Sequence, residues 1–200
     1  MIWWCKARAV PTLAITVVGT NALGLLMGNA ELPMPVLTGR SGHFLVGHLI
    51  ALLPAVMLLY GMGRGDLRAE SVACRPVRVW DALLGLAVAI GGAAVAGLSY
   101  AVGSGAISLV LGRNIAAYVG LGLLLLPLVG HRLAAVAVAA VPLVCAATGW
   151  SPGGKAEPWA WILHPADSPV ASVITAVVLL AGLSLTVAMR PSSRAIAWGV

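Results

Sequence analysis

Apolar residues run in long blocks along this chain, separated by short polar intervals that are charged or rich in proline. The blocks lack alternation over about ten residues, which argues against a membrane β-barrel and for helices. A bilayer needs about 20 apolar residues per helical crossing. On that measure the pattern predicts spans at about 9–27, 43–61, 82–102, 115–130, 133–148 and 170–189. Pro54, Pro127 and Pro142 predict bends within them. Gly130-His131-Arg132 reads as the tight turn of a helical pair. The apolar block 106–112 is too short to cross and reads as interfacial or re-entrant, with Arg113 and Asn114 marking the next boundary. The stretches 31–42 and 151–169 read as outer loops, the second resting its tryptophans against the headgroup region.

The predicted fold is therefore all-α, a single six-span membrane domain over residues 1–200 with both termini cytoplasmic. Composition strengthens the reading. With 60% hydrophobic and 9% charged residues, the chain cannot assemble a water-soluble surface. The net charge of +6 does not point to nucleic acid, because the cations cluster at helix ends as orientation signals. Nine of the 12 basic residues (Lys6, Arg8, Arg64, Arg68, Arg75, Arg78, Arg132, Arg190, Arg194) fall on the side carrying the termini. Three (Arg40, Arg113, Lys155) fall on the other. That bias assigns the first side to the cytoplasm and suits a protein of the cell (plasma) membrane. Gly28-Asn29-Ala30 resembles a cleavage site, yet the run before it exceeds a secretory core, so the first helix is expected to stay uncleaved. The three cysteines show no paired spacing. Gly24-x-x-x-Gly28 and the recurrence Ala89, Ala93, Gly97 offer helix-packing faces.

Little in the spans suggests catalysis. They hold Asn21, His48, Tyr118 and Cys145 among few polar residues, and no carboxylate well inside. An intramembrane hydrolase or proton-driven carrier would need more. His43 and His48 are five residues apart, about 140° around a helix, so a shared metal site is not expected and His48 should bond a neighbouring helix. Residues 149–155 match the phosphate-loop pattern G-x-x-x-x-G-K, but Ala156 stands where Ser or Thr should hold magnesium, and the stretch follows a span rather than a strand. The chain is expected to be no enzyme and to carry no cofactor.

The longest polar interval is 64–81, with Arg64, Arg68, Arg75 and Arg78 interleaved with Asp66, Glu70 and Asp81. Arginines alone would satisfy the orientation rule. Asp66 and Glu70 sit four apart, as do Arg64 and Arg68, so a helix there would show both signs of charge to a partner. Pro76 would end that helix. Residues 70–85, ESVACRPVRVWDALLG, resemble the cytoplasmic segment between the second and third spans of type-2 ABC export permeases. The span count, inside termini and large outer segment before the last span are similar too. The resemblance implies an ATP-driven exporter permease working with a separate cytoplasmic ATPase subunit, on which ATP and magnesium would reside. It also implies a second permease copy or homologous membrane subunit, and an amphipathic or lipid-like cargo. Docking would fall to Arg64, Asp66, Arg68, Glu70, Arg75 and Arg78. The outer loop would form paired half-helices over the exit, with Trp159, Trp161 and His164 at the gate. The chain departs from that family in its length and in a head, residues 1–8, of barely two turns. The alternative is a non-transporting anchor or assembly subunit of a larger membrane complex.

Overall fold

The computed structural model describes residues 2–27, 30–35, 41–65, 77–151 and 155–188. Helix α1 (Ile2–Ala7) turns into α2 (Val10–Met27) through Ala9, whose φ of 51° lies in the left-handed region. Strands β1 (Glu31–Pro35) and β2 (Ser41–Leu45) pair antiparallel. A loop was expected there because of Pro33 and Pro35. In a two-stranded ribbon both strands are edges, where proline is tolerated, and these prolines pair with His43 and Ser41.

Then come α3 (Val46–Ile50), α4 (Leu53–Gly63), α5 (Val77–Ala101), α6 (Ile107–Thr148), a 3-10 turn (Trp161–Leu163) and α7 (Pro169–Ala188). The division between α3 and α4 follows from Pro54 in the first turn of α4, which cannot donate to the carbonyl four residues back. Five helices, counting Val46–Gly63 as one, are long and apolar enough to cross a membrane.

Helix α6 is broken at Gly130, with φ 79° and ψ 168°, a conformation that favours glycine. A continuous helix would separate residues 113 and 149 by about 54 Å at about 1.5 Å per residue. Instead both meet the Trp161–Leu163 turn. Arg113 Nη2 donates to Trp161 O at 3.4 Å, and a Cβ on Gly149 would stand 3.0 Å from Leu163 Cδ1. The chain doubles back at Gly130. Its first arm starts at Ile107, so 106–112, expected as a separate interfacial piece, joins the helix, and Arg113 and Asn114 lie inside it.

The two ends of the bundle are distinct. Gly61 lies against the Arg8 backbone and Gly63 against the His131 ring at one end; Gly24 lies against Leu111 toward the other. Between them Leu58, Leu59, Ile115, Tyr118, Leu123 and Val138 are fully buried. Ile15, Leu26, Ile90, Leu98 and Leu180 point outward, as expected of helices facing lipid. Glycine permits a close backbone crossing where Gly182 meets Gly120, and a Cβ on Gly120 would stand 2.6 Å from Leu179 Cα. On α5 the buried small residues are Ala82, Gly85, Ala89, Gly92 and Ala96. Ala93 is exposed and Gly97 has open space beside it. A strict four-residue spacing drifts about 40° per step around a helix, whereas alternating four and three holds one face.

Candidate functional site

Two arginines organise the polar chemistry, one at each end. The Ala9 corner turns Arg8 inward from the mouth of α2, and its side chain is 2% exposed. Nε donates to Asp81 Oδ1 at 2.9 Å and Nη2 to Asp81 Oδ2 at 2.7 Å, a bidentate fork. Nη1 donates to Met62 O at 2.7 Å. Asp81 lies just beyond the first turn of α5, which itself holds no acidic residue. The Trp4 and Trp80 rings pack 6.1 Å apart beside this pair. Sequence reasoning counted Arg8 among the orienting cations and did not foresee its burial against Asp81; the clue was Asp81, an acid at the entrance of an apolar block.

At the opposite end, Arg113 Nη1 donates to Pro165 O at 2.7 Å, and Nη2 to His164 O at 2.6 Å and Trp161 O at 3.4 Å. The guanidinium gathers the carbonyls where the 3-10 turn ends, and among the described residues no carboxylate is its partner. Asn114, fully buried, uses Nδ2 twice. It lies 3.0 Å from His48 Nδ1, which accepts from it, and 3.4 Å from Ile162 O. The Tyr118 hydroxyl donates to His48 O at 3.0 Å. His48 therefore bonds a neighbouring helix, as expected. Four buried polar atoms in this region, Arg113 Nε, Asn114 Oδ1, Trp150 Nε1 and Trp161 Nε1, have no protein partner.

Of the sequence-derived gate residues, Trp159 is half exposed and Trp161 partly buried. His164 pairs with Glu157 O through Nε2 (3.1 Å) and with Ser168 Oγ through Nδ1 (3.2 Å). Among the described residues this loop holds one 3-10 turn rather than paired half-helices. Proline at 158, 165 and 169 leaves too few consecutive donors for longer helices between them. Of the docking residues, Arg64 caps α4, exposed, with its guanidinium 5.9 Å from the Tyr60 ring centre. Arg78 lies in the first turn of α5, beyond Pro76 and so outside any helix that Pro76 would end. Asp66, Arg68, Glu70 and Arg75 lie outside the described residues, as does the 152–154 part of the phosphate-loop match.

No family model, curated protein or solved structure matches this chain. Its chemistry is therefore read from geometry: the two clamps hold helices and a loop in place, and among the described residues no three His, Cys, Asp or Glu side chains come together to hold a metal.

Proposed function

We propose that this chain is the permease subunit of an ATP-driven ABC exporter of the cell (plasma) membrane. It crosses the bilayer six times, α6 supplying two crossings, with both termini and the Arg8 end in the cytoplasm. One observation carries the reading: Arg8 bonds Met62 O and Asp81, which bracket the charged stretch 64–78. A push on that stretch is delivered through one buried guanidinium to the second crossing, the third and the start of the first. A connecting loop with no mechanical role requires no such clamp. The pusher is a separate cytoplasmic ATPase carrying ATP and magnesium, docked on Arg64, Asp66, Arg68, Glu70, Arg75 and Arg78. A second permease copy or homologous subunit completes the pathway, and the apolar spans suit an amphipathic or lipid-like cargo.

The rival reading is a non-transporting assembly subunit, favoured by the glycine-lined contacts that leave the described helices tightly closed on one another. Isolation of the tagged chain from its native membrane separates the two. An exporter brings down an ATPase with nucleotide-dependent turnover, and Asp66→Arg with Glu70→Arg removes it while insertion persists. Breaking one buried charge pair of such an interface costs about 2–5 kcal/mol, enough to strip the partner. Recovery of membrane partners with no ATPase supports the assembly subunit, and ATPase recovery indifferent to the double reversal removes the docking assignment.

A further inference from the structure

The step between α3 and α4 is a buried departure from helical regularity in a membrane-crossing segment. Ala51 N still donates to Gly47 O at 3.1 Å, but Leu52 N turns to Leu49 O, three residues back, at 3.1 Å. Val56 N resumes the four-residue ladder onto Leu52 O at 3.0 Å. Such a single 3-10 step inside a helix is where bending is easiest, because Pro54, two residues on, has no donor to return to Ile50 O. Ala51 is fully buried, so the step is enclosed by protein rather than exposed to lipid.

One turn of α6 grips the piece beyond this step in two ways. Tyr118 holds the His48 backbone through its carbonyl, and Asn114 holds the His48 ring. The same Asn114 amide nitrogen reaches Ile162 O in the tryptophan-bearing loop. An amide nitrogen carries two hydrogens, so one group serves both partners, and the orientation that satisfies one fixes the other.

We propose that Ala51–Leu52 is a hinge and that Tyr118, His48 and Asn114 form its catch. Release of the catch lets α3 swing away from α6 and, through the shared Asn114 amide, loosens the Trp161–Leu163 turn at the same time. The device is intramolecular and stands whether or not an ATPase partner exists.

The test uses the full chain in lipid vesicles, with Cys5→Ser, Cys74→Ser and Cys145→Ala. A reporter thiol is placed by Ile162→Cys or, separately, by Val138→Cys; both positions are fully buried. A membrane-impermeant maleimide then reads opening by labelling rate. Tyr118→Phe removes one hydroxyl, whose hydrogen bond goes to His48 O and not to the loop. It should raise labelling at position 162 about fivefold, the population shift that follows loss of one net hydrogen bond. His48→Ala should do at least as much, while position 138 stays unchanged in both. Pro54→Ala, which restores a donor to the ladder, should slow labelling at 162 a few-fold. An unchanged rate at 162 in Tyr118→Phe, or equal acceleration at 138, overturns the hinge and catch. ATPase recovery is not read, so failure here leaves the exporter reading to its own experiment.

Discussion

The two ends of the bundle each bury much of an arginine and neutralise it differently. Arg8 meets a carboxylate in a bidentate fork, reinforced by one carbonyl. Arg113 meets three carbonyls at the end of a 3-10 turn. A carboxylate is a full counter-charge fixed to a helix, and losing it removes a whole charge from a low-dielectric site. Carbonyl dipoles share the task among three groups near the surface, where water and headgroups can replace them. The first solution suits a joint that must not come apart; the second suits a joint that can be opened and remade.

Removal of Asp81 is therefore expected to have the largest effect of any single change in this comparison. Asp81→Ala removes the carboxylate that the Arg8 fork binds, at a side chain 2% exposed. Breaking a buried pair in this way costs about 3–5 kcal/mol, read as a lower midpoint in denaturant unfolding in detergent micelles. The paired replacement Arg8→Met with Asp81→Leu should recover most of the loss, because the desolvation cost disappears with both charges. If Asp81→Ala unfolds at the parent's midpoint, the fork is not the stronger clamp and the comparison fails.

The same contrast shows what the sequence made legible. Most of the helical length follows from the apolar blocks, though not the start of α6 at Ile107, and the bend after α3 follows from Pro54. The bonding of His48 across helices follows from the cost of leaving an imidazole unpaired in a span. Arg8 and Asp81 were both visible as charged residues at span entrances, but 73 residues separate them and no local pattern announces their pairing. Arg113 and Asn114 read as a boundary because polarity usually marks one. Here the polar pair is kept inside α6 by carbonyls from a loop some 50 residues further on, a partner that hydropathy does not register. The four-residue recurrence on α5 failed for a geometric reason, the drift that carries Ala93 and Gly97 off the packed face.

Arg113→Ala should lie below the Asp81 effect. Hydrogen bonds to a charged group contribute about 1.5–3 kcal/mol each at best. The freed carbonyls of His164 and Pro165 lie where water reaches, so a net loss of about 1–3 kcal/mol is expected by the same denaturation assay. Arg113→Lys should recover part of it, since an ammonium donates to carbonyls but lacks the planar fork. A loss as large as that of Asp81→Ala would show that the carbonyl clamp is as rigid as the ion pair.

Two glycines set the scale on which both clamps are read, because each tests packing without touching charge. Gly182 faces the Gly120 carbonyl across α6 and α7, and Gly97 faces open space on α5. Gly182→Ala forces backbone apart where no side chain can yield, a strain of about 1–3 kcal/mol. Gly97→Ala meets nothing within 4 Å. It removes the flexibility of a mid-helix glycine, a gain of about 0.5–1 kcal/mol, the smallest shift expected and the only one upward. Measured together by denaturant midpoint, the pair distinguishes the packed face of α5 from the recurrence read in its sequence. A stabilised Gly97→Ala beside a destabilised Gly182→Ala places the close contacts at the α6–α7 crossing. Destabilisation by Gly97→Ala would instead mean that this face of α5 is covered by something, and the clamp energies would then have to be measured again with that partner in place.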